Sequence, residues 1–268
     1  MSQDVLCTFP GRHGDLLWAL PTIRAIAEFY DQPIDLQICG EFDRLASIIE
    51  MQPYIQEVAA DQSWGMSHGY RPPTIRASPN TIVHHLGYQR WPELPLPKET
   101  YLNAVASVGQ ELPPLRLDDP WIAWPHKVEW PLRFEIGWTD CHFELKFGIT
   151  ELLREYWDLD EVGIFPPGSR WISEGGYQAI DWEEAAQCIY GTRLLLTDCS
   201  ALHVLAVAMG IPVVIVEPMV ERHNPIFYPV GMDGPQVTVV RGLDGLPTFD
   251  ARHTRETIQK LLGEGRQR

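Results

Sequence analysis

Apolar and polar positions change rhythm in blocks along this chain. Short apolar runs trade places with longer stretches in which apolar residues return every three or four positions. The runs at 5–9, 34–40, 56–60 and 81–87 have strand length, whereas 15–30, 41–50 and 98–109 keep a helical period. Residues 62–80 and 88–97, rich in Pro, Gly, Trp and His, break the pattern and read as long loops, which in compact domains are functional or mobile. LPPLRLDDPWIAWP at 112–125 is proline-rich. Proline removes a donor and disfavours helix before it, so this passage reads as a linker. Alternation then restarts with RFEIGW at 133–138, a helix over 143–157 and EVGIF at 161–165. A helix over 181–190 with an Asp cap, RLLLT at 193–197, a helix over 200–209 and PVVIV at 212–216 follow. QVTVV at 236–240 and a helix over 254–262 complete the series, and the tail GEGRQR should fray.

Strands alternating with helices predict parallel βαβ units joined by right-handed crossovers. The fold class is therefore α/β. Two Rossmann-like domains are expected, over 1–125 and 126–268, their facing carboxyl strand ends forming a ligand cleft. The last helix is the element that can pack back on the first domain. A length of 268 residues suffices for two modest domains or one large one.

The formal charge of −15 argues against a broad phosphate-binding face for nucleic acid while leaving room for a local basic pocket. Cys7, Cys39, Cys141, Cys188 and Cys199 are odd in number and show no CxxC spacing, which suits small core thiols in a reducing cytoplasm. No run of eighteen apolar residues offers a membrane span, and MSQDVLCTF lacks the basic-then-apolar order of a secretory signal. Trp121, Trp124, Trp130 and Trp138 cluster near mid-chain, as buried packing or as a sugar-stacking surface. GxxxxGK[ST], GxGxxG and GxSxG are absent, so kinase, dehydrogenase and hydrolase readings lack their motifs.

Two stretches carry candidate chemistry. In GRHGDLLWALPT, at 11–22, Asp15 follows Gly14 where a strand hands over to a helix. Alone, it reads as a cap of that helix. In LLLTDCSALHVLAVAMGIPVVIV, at 194–216, the strand ends at Asp198 and Ser200 is a natural N-cap. Gly210 supplies a left-handed stop, and Pro212 opens the next strand. Free N–H groups of residues 201 to 203, Ala201 and His203 included, then form an anion site suited to a diphosphate. His203 alone reads as a half-buried histidine bonded to a carbonyl, and Asp198 alone as a loop-capping acid.

Together the stretches carry a resemblance. GDxxxxxP, from Gly14 and Asp15 to Pro21, is similar to the N-terminal motif of the heptosyltransferase-like enzymes of glycosyltransferase family 9. Asp198-Cys199-Ser200-Ala201-Leu202-His203, followed by AxxxGIP, resembles their D-[ST]-G-x-x-H-x-A-x-x-x-G-x-P. The close match covers about forty residues, and the rest agrees in βα order. The resemblance implies a GT-B fold, a nucleotide-diphosphate sugar bound by the C-terminal half, and inverting transfer without a metal or other cofactor. It implies that Asp15 is the catalytic base that takes the proton of the acceptor hydroxyl. The helix start at 200–203 would then hold the leaving diphosphate.

The chain departs from the family at several points. Ser200 stands where the family has Gly, Cys199 replaces Thr or Ser, and His13 precedes Gly14, where it can pair with Asp15. The family's lysine has no clean equivalent; Lys146 in HFELKFG and Arg170 in FPPGSRW are the nearest cations. His84 and His85 end a predicted strand and point to opposite faces, so a shared metal is not expected; His84 is taken to the acceptor side with Gly14 and His13. Glu217, after the last central strand, is a candidate for a ribose or sugar hydroxyl. The expected partners are a nucleotide sugar and a glycan or other hydroxyl-bearing acceptor, with a nucleic-acid acceptor disfavoured. Two alternatives stay open: a non-catalytic nucleotide-sugar-binding protein, and a GT-B sugar-nucleotide epimerase or hydrolase.

Overall fold

The structure is a computed structural model that describes residues 3–65, 71–87, 93–124, 134–139, 162–165, 177–178, 181–197, 200–217, 237–241 and 251–264. The chain divides into two compact units, 1–123 and 124–268.

The first unit is built from β1 (Val5–Phe9), α1 (His13–Tyr30), β2 (Ile34–Cys39), a 3-10 turn (Gly40–Leu45), α2 (Ala46–Glu50), β3 (Ile55–Asp61), β4 (Ile82–His85) and α3 (Leu96–Val108). Its strands are parallel, in the order β3-β2-β1-β4. All five residues of β1 are buried, as befits a central strand covered on both faces. The chain steps from β1 outward to β2 and β3, then returns to place β4 on the other flank of β1. The strand order therefore reverses between β1 and β4.

The stretch 41–50, read as one helix, is a 3-10 turn followed by α2, with a kink at Phe42 (φ −118°, ψ 20°). Packing sets that kink. A Cβ on Gly40 would lie 2.7 Å from the Asp61 carbonyl oxygen, and Phe42 joins Cys39 and Trp64 in one buried cluster. Helix α1 ends at Asp31, whose left-handed backbone (φ 52°) is a conformation aspartate tolerates.

The proline-rich passage is not a free linker. From Leu16 to Ile23, α1 is buried without a break, so its outer side needs a cover, and buried Leu112, Trp121 and Ile122 belong to this passage. Prolines lack donors, but the passage keeps its carbonyls, and side chains of the first unit donate to them. Tyr101 Oη reaches Leu112 O (2.9 Å) and Pro113 O (3.1 Å); Arg24 reaches Arg116 O (2.9 Å) and Pro120 O (3.3 Å). Arg116 pairs with Glu28. Gln52 finishes the seam, accepting from the Ala123 N–H at 2.8 Å.

The second unit holds β5 (Phe134–Trp138), β6 (Val162–Phe165), β7 (Tyr177–Gln178), α4 (Trp182–Tyr190), β8 (Thr192–Thr197), α5 (Ala201–Ala208), β9 (Val213–Glu217), β10 (Val237–Arg241) and α6 (Ala251–Glu264). Its parallel sheet runs β10-β9-β8-β5-β6-β7, so here the order reverses between β5 and β8. Asp181 caps α4 as expected, accepting from Glu184 N at 2.8 Å, and Gly210 takes the left-handed stop after α5 (φ 79°). The last helix, α6, packs on β8, β9 and β10 of its own unit, where Arg193 donates to the Leu262 carbonyl at 2.9 Å.

The expected helix over 143–157, together with Trp130, Cys141 and Cys199, lies outside the described residues. Cys7, Cys39 and Cys188 are buried free thiols; burial raises all three, that of Cys188 to about 11, which leaves them unreactive. Trp121 and Trp138 are core residues and Trp124 is half-buried, so the described members of the mid-chain cluster pack rather than offer an open sugar platform. Among the described residues, no helix is long and apolar enough to cross a membrane.

Candidate active site

In open α/β sheets, ligands bind outside the carboxyl ends of strands where the strand order reverses. In each unit a motif stretch begins at that place.

In the first unit, β1 ends at Phe9 and α1 starts at His13. Arg12 holds the N-cap position, and a guanidinium cannot accept a hydrogen bond. The cap is therefore made in reverse, the Arg12 N–H donating to Asp15 Oδ2 at 3.3 Å. Asp15 is half-buried at the third helical position, where the helix dipole favours its charge by about 0.3–1 kcal/mol. Gly14 is the second helical residue. Gly11 matters for a different reason, since a Cβ there would lie 2.3 Å from the Phe9 ring and 2.7 Å from Asp15 Cβ. Only hydrogen at that position lets the turn close between a buried aromatic ring and the carboxylate-bearing residue.

His13 turns its ring edge-on to Phe42, centroids 5.0 Å apart. Burial, and next the Arg44 guanidinium, lower its pKa to about 4 against an opposing pull from Asp43. The imidazole is neutral at neutral pH and cannot be an ion-pair partner for Asp15.

The two adjacent histidines separate as strand alternation requires, but not with the expected roles. His84 is 3% exposed and sits in the core, its Nε2 bonded to Tyr30 Oη (3.0 Å) and its Nδ1 to Ser107 Oγ (3.0 Å). Tyr30 ends α1, about 22 Å along the helix from Asp15 at 1.5 Å per residue. His84, expected on the acceptor side, thus has both ring nitrogens occupied within the core of the first unit. His85 stands at the carboxyl end of β4, in register with Thr8 of β1, and its Nδ1 lies 2.7 Å from Thr8 Oγ1. Burial and Arg71 lower its pKa as well. His85, to which the sequence reading gave no acceptor role, is the histidine at the strand end that flanks the reversal between β1 and β4. Strand register is what separates it from His84.

In the second unit, Ser200 takes the N-cap position of α5 with extended backbone (φ −140°, ψ 171°), Ala201 is the first helical residue and His203 the third. The cap is again reversed, the Ser200 N–H donating to His203 Nδ1 at 3.0 Å. An accepting Nδ1 puts the proton of the neutral ring on Nε2. His203 is 1% exposed. Ser200 Oγ is buried with no partner among the described residues.

Across the reversal from β8, Thr139 follows β5 and donates its N–H to Leu196 O at 2.9 Å, while its wholly buried Oγ1 has no partner among the described residues. Sequence reading passed over Thr139. The signal was its place immediately after the strand RFEIGW, on the flank of the reversal opposite the Ser200 turn. Glu217 closes β9 in register with Arg241 of β10. Lys146, Arg170, Asp198 and Cys199 lie outside the described residues. Among the described residues, no three His, Cys, Asp or Glu side chains are grouped so as to hold a metal ion.

No family profile and no curated protein matches the chain in sequence. Solved structures do match it in fold over almost its whole length. A glycosyl transferase family 9 protein from Veillonella parvula is similar with a TM-score of 0.66 at 15% identity, covering 98% of this chain and 99% of that one. Escherichia coli heptosyltransferase WaaC, solved with ADP-2-deoxy-2-fluoro heptose, gives 0.65 at 12% identity, covering 96% and 99%. E. coli ADP-heptose LPS heptosyltransferase II gives 0.64 at 12% identity, covering 98% and 99%. The chain thus has the fold of glycosyltransferase family 9 structures.

Proposed function

We propose that the chain is a GT-B glycosyltransferase that moves a sugar, with inversion, from a nucleotide-diphosphate donor to an acceptor hydroxyl. One observation carries the reading: each motif stretch starts its helix where the strand order of its sheet reverses, in a chain with this transferase fold. The first unit supplies the base. Asp15 takes the acceptor proton as the hydroxyl oxygen bonds to the anomeric carbon, and the bond from that carbon to the diphosphate breaks. The second unit holds the donor, and the nucleoside diphosphate leaves with the electron pair.

The leaving group needs donors, and the start of α5 provides them in the N–H groups of its first turn and the Nε2 proton of His203. Thr139 Oγ1 and Ser200 Oγ support the same role. A buried hydroxyl without a partner costs on the order of 1–3 kcal/mol, and phosphate oxygens at the helix start would remove that cost. Asp198, Cys199, Lys146, Arg170 and Glu217 stay in the proposal as donor-side residues on the strength of the sequence resemblance.

A second reading, a nucleotide-sugar-binding protein without catalysis, is favoured by Ser200, whose side chain occupies the place where the family pattern has glycine. The test uses ADP-heptose and a panel of other nucleotide sugars, following nucleoside-diphosphate release with and without acceptor glycan extracts. Transfer predicts release that depends on acceptor and survives EDTA. Equal release without acceptor indicates a hydrolase, binding without release indicates the second reading, and rescue of EDTA-killed activity by manganese, magnesium or iron rejects metal-free transfer.

A further inference from the structure

Helix α1 runs through a proline. Pro21 has no N–H for the carbonyl four residues back, that of Leu17, and its ring crowds the same oxygen. Leu17 is wholly buried, so water cannot satisfy that carbonyl. The missing donor comes from a residue a hundred positions away: Trp121 Nε1–H bonds to Leu17 O at 3.0 Å.

Trp121 is held in this position from its other sides. Its ring lies tilted on Trp18, centroids 5.6 Å apart. Its own carbonyl accepts from Tyr54 Oη at 2.6 Å, and Gln52 fixes Ala123 two residues on. Of these groups, Tyr54 and Gln52 lie outside α1 and hold the indole donor in place independently of the Leu17 carbonyl.

The mechanical consequence falls on the first turns of α1. Helix bonds bind residues 13–20 among themselves, and the next link of the ladder, from position 21 back to 17, is the one that proline deletes. A helix that loses a link at proline is free to bend there. Asp15 rides on the segment before that point. We propose that Trp121 is a splint that replaces this link and fixes the tilt of the first turns of α1, on which Asp15 sits. The proposal rests on the reading of Asp15 as the base only for its functional meaning; the splint itself is a statement about α1.

The experiment is a double-mutant cycle in the full chain, read by amide hydrogen exchange without any ligand. Trp121→Phe keeps a ring and deletes the N–H. Pro21→Ala restores a backbone N–H able to reach Leu17 O. In the wild-type background, Trp121→Phe is expected to speed exchange of the α1 amides before position 21 by roughly fivefold, the worth of one net hydrogen bond, with β2 and β3 amides unchanged. In the Pro21→Ala background the same substitution should change those rates less than twofold. An equal effect in both backgrounds, or a uniform acceleration across the first unit, overturns the proposal. If Trp121→Phe does not fold, a benzothienylalanine at 121, which keeps the bicyclic shape without the N–H, replaces it in the cycle. Failure of the Asp15 reading would show as full turnover by Asp15→Asn and would leave this cycle intact, so the two ideas fall separately.

Discussion

Neutral His13, held beside the turn that carries Asp15, gives the chain an acid weakness that can be measured. The perturbation is a fall in pH from 7.5 to 5. Unfolded, His13 titrates near ~6.5; folded, burial and Arg44 lower it to about 4. Between those values the unfolded chain binds the proton and the folded chain does not. Stability present above the unfolded pKa is therefore lost as the pH falls toward 4. At pH 5 the difference between the two titrations amounts to about 2 kcal/mol, an upper bound for a half-buried ring, against a total stability of roughly 5–15 kcal/mol for a typical domain. Urea unfolding at the two pH values, in wild type and in His13→Gln, isolates the contribution. The variant should lose about 2 kcal/mol less on acidification. A residual slope should persist, because burial lowers His84 and His85 too. NMR titration of the His13 ring gives the direct check. A midpoint at or above pH 6, or the same acid loss in His13→Gln, would refute the reasoning.

Three further outcomes follow from the site. Asp15→Asn should cut turnover by about 10²- to 10⁴-fold while changing stability by less than about 1 kcal/mol, and turnover above half of wild type with a true acceptor would make Asp15 a cap only. His203→Ala should weaken the thermal stabilisation expected from a nucleoside diphosphate, which at a hundred times its dissociation constant is worth about 2.7 kcal/mol; an unchanged shift, measured against the variant's own baseline, removes the second motif from donor binding. Gly11→Ala should cost about 1–3 kcal/mol by overpacking against the buried Phe9 ring and should lower turnover by moving Asp15; a melting temperature within a degree of wild type would show that the turn closes without that gap.

Much of the fold was legible because its signals are local. Apolar runs located every described strand from β1 to β10 except the two-residue β7, which is too short to have a pattern. The sequence pattern starts α1 two residues late, since glycine disfavours helix interiors and Gly14 stands in the way. The reversed cap between Arg12 and Asp15, a contact no propensity scale contains, begins the helix earlier. Register separates His84 from His85, and register is a pairing between strands far apart in sequence. Thr139 was invisible for the same reason, since its importance comes from a neighbour strand more than fifty residues later. The covering role of 112–123 was hidden because proline composition marks extended chain and says nothing about what that chain lies against.

That cover bears on how this chain can be recombined with its structural relatives. A crossover placed by composition, near the first prolines at residue 112, would join one protein's α1 to another's lid. Trp121 would then face a helix whose proline, Arg24 and Glu28 need not match it, and the apolar stretch from Leu16 to Ile23 would lose its shield. Such chimaeras should aggregate however well their sheets are preserved. A crossover after Ala123 transfers helix and lid together, so the heritable module on this side of the chain ends at the last residue that Gln52 holds.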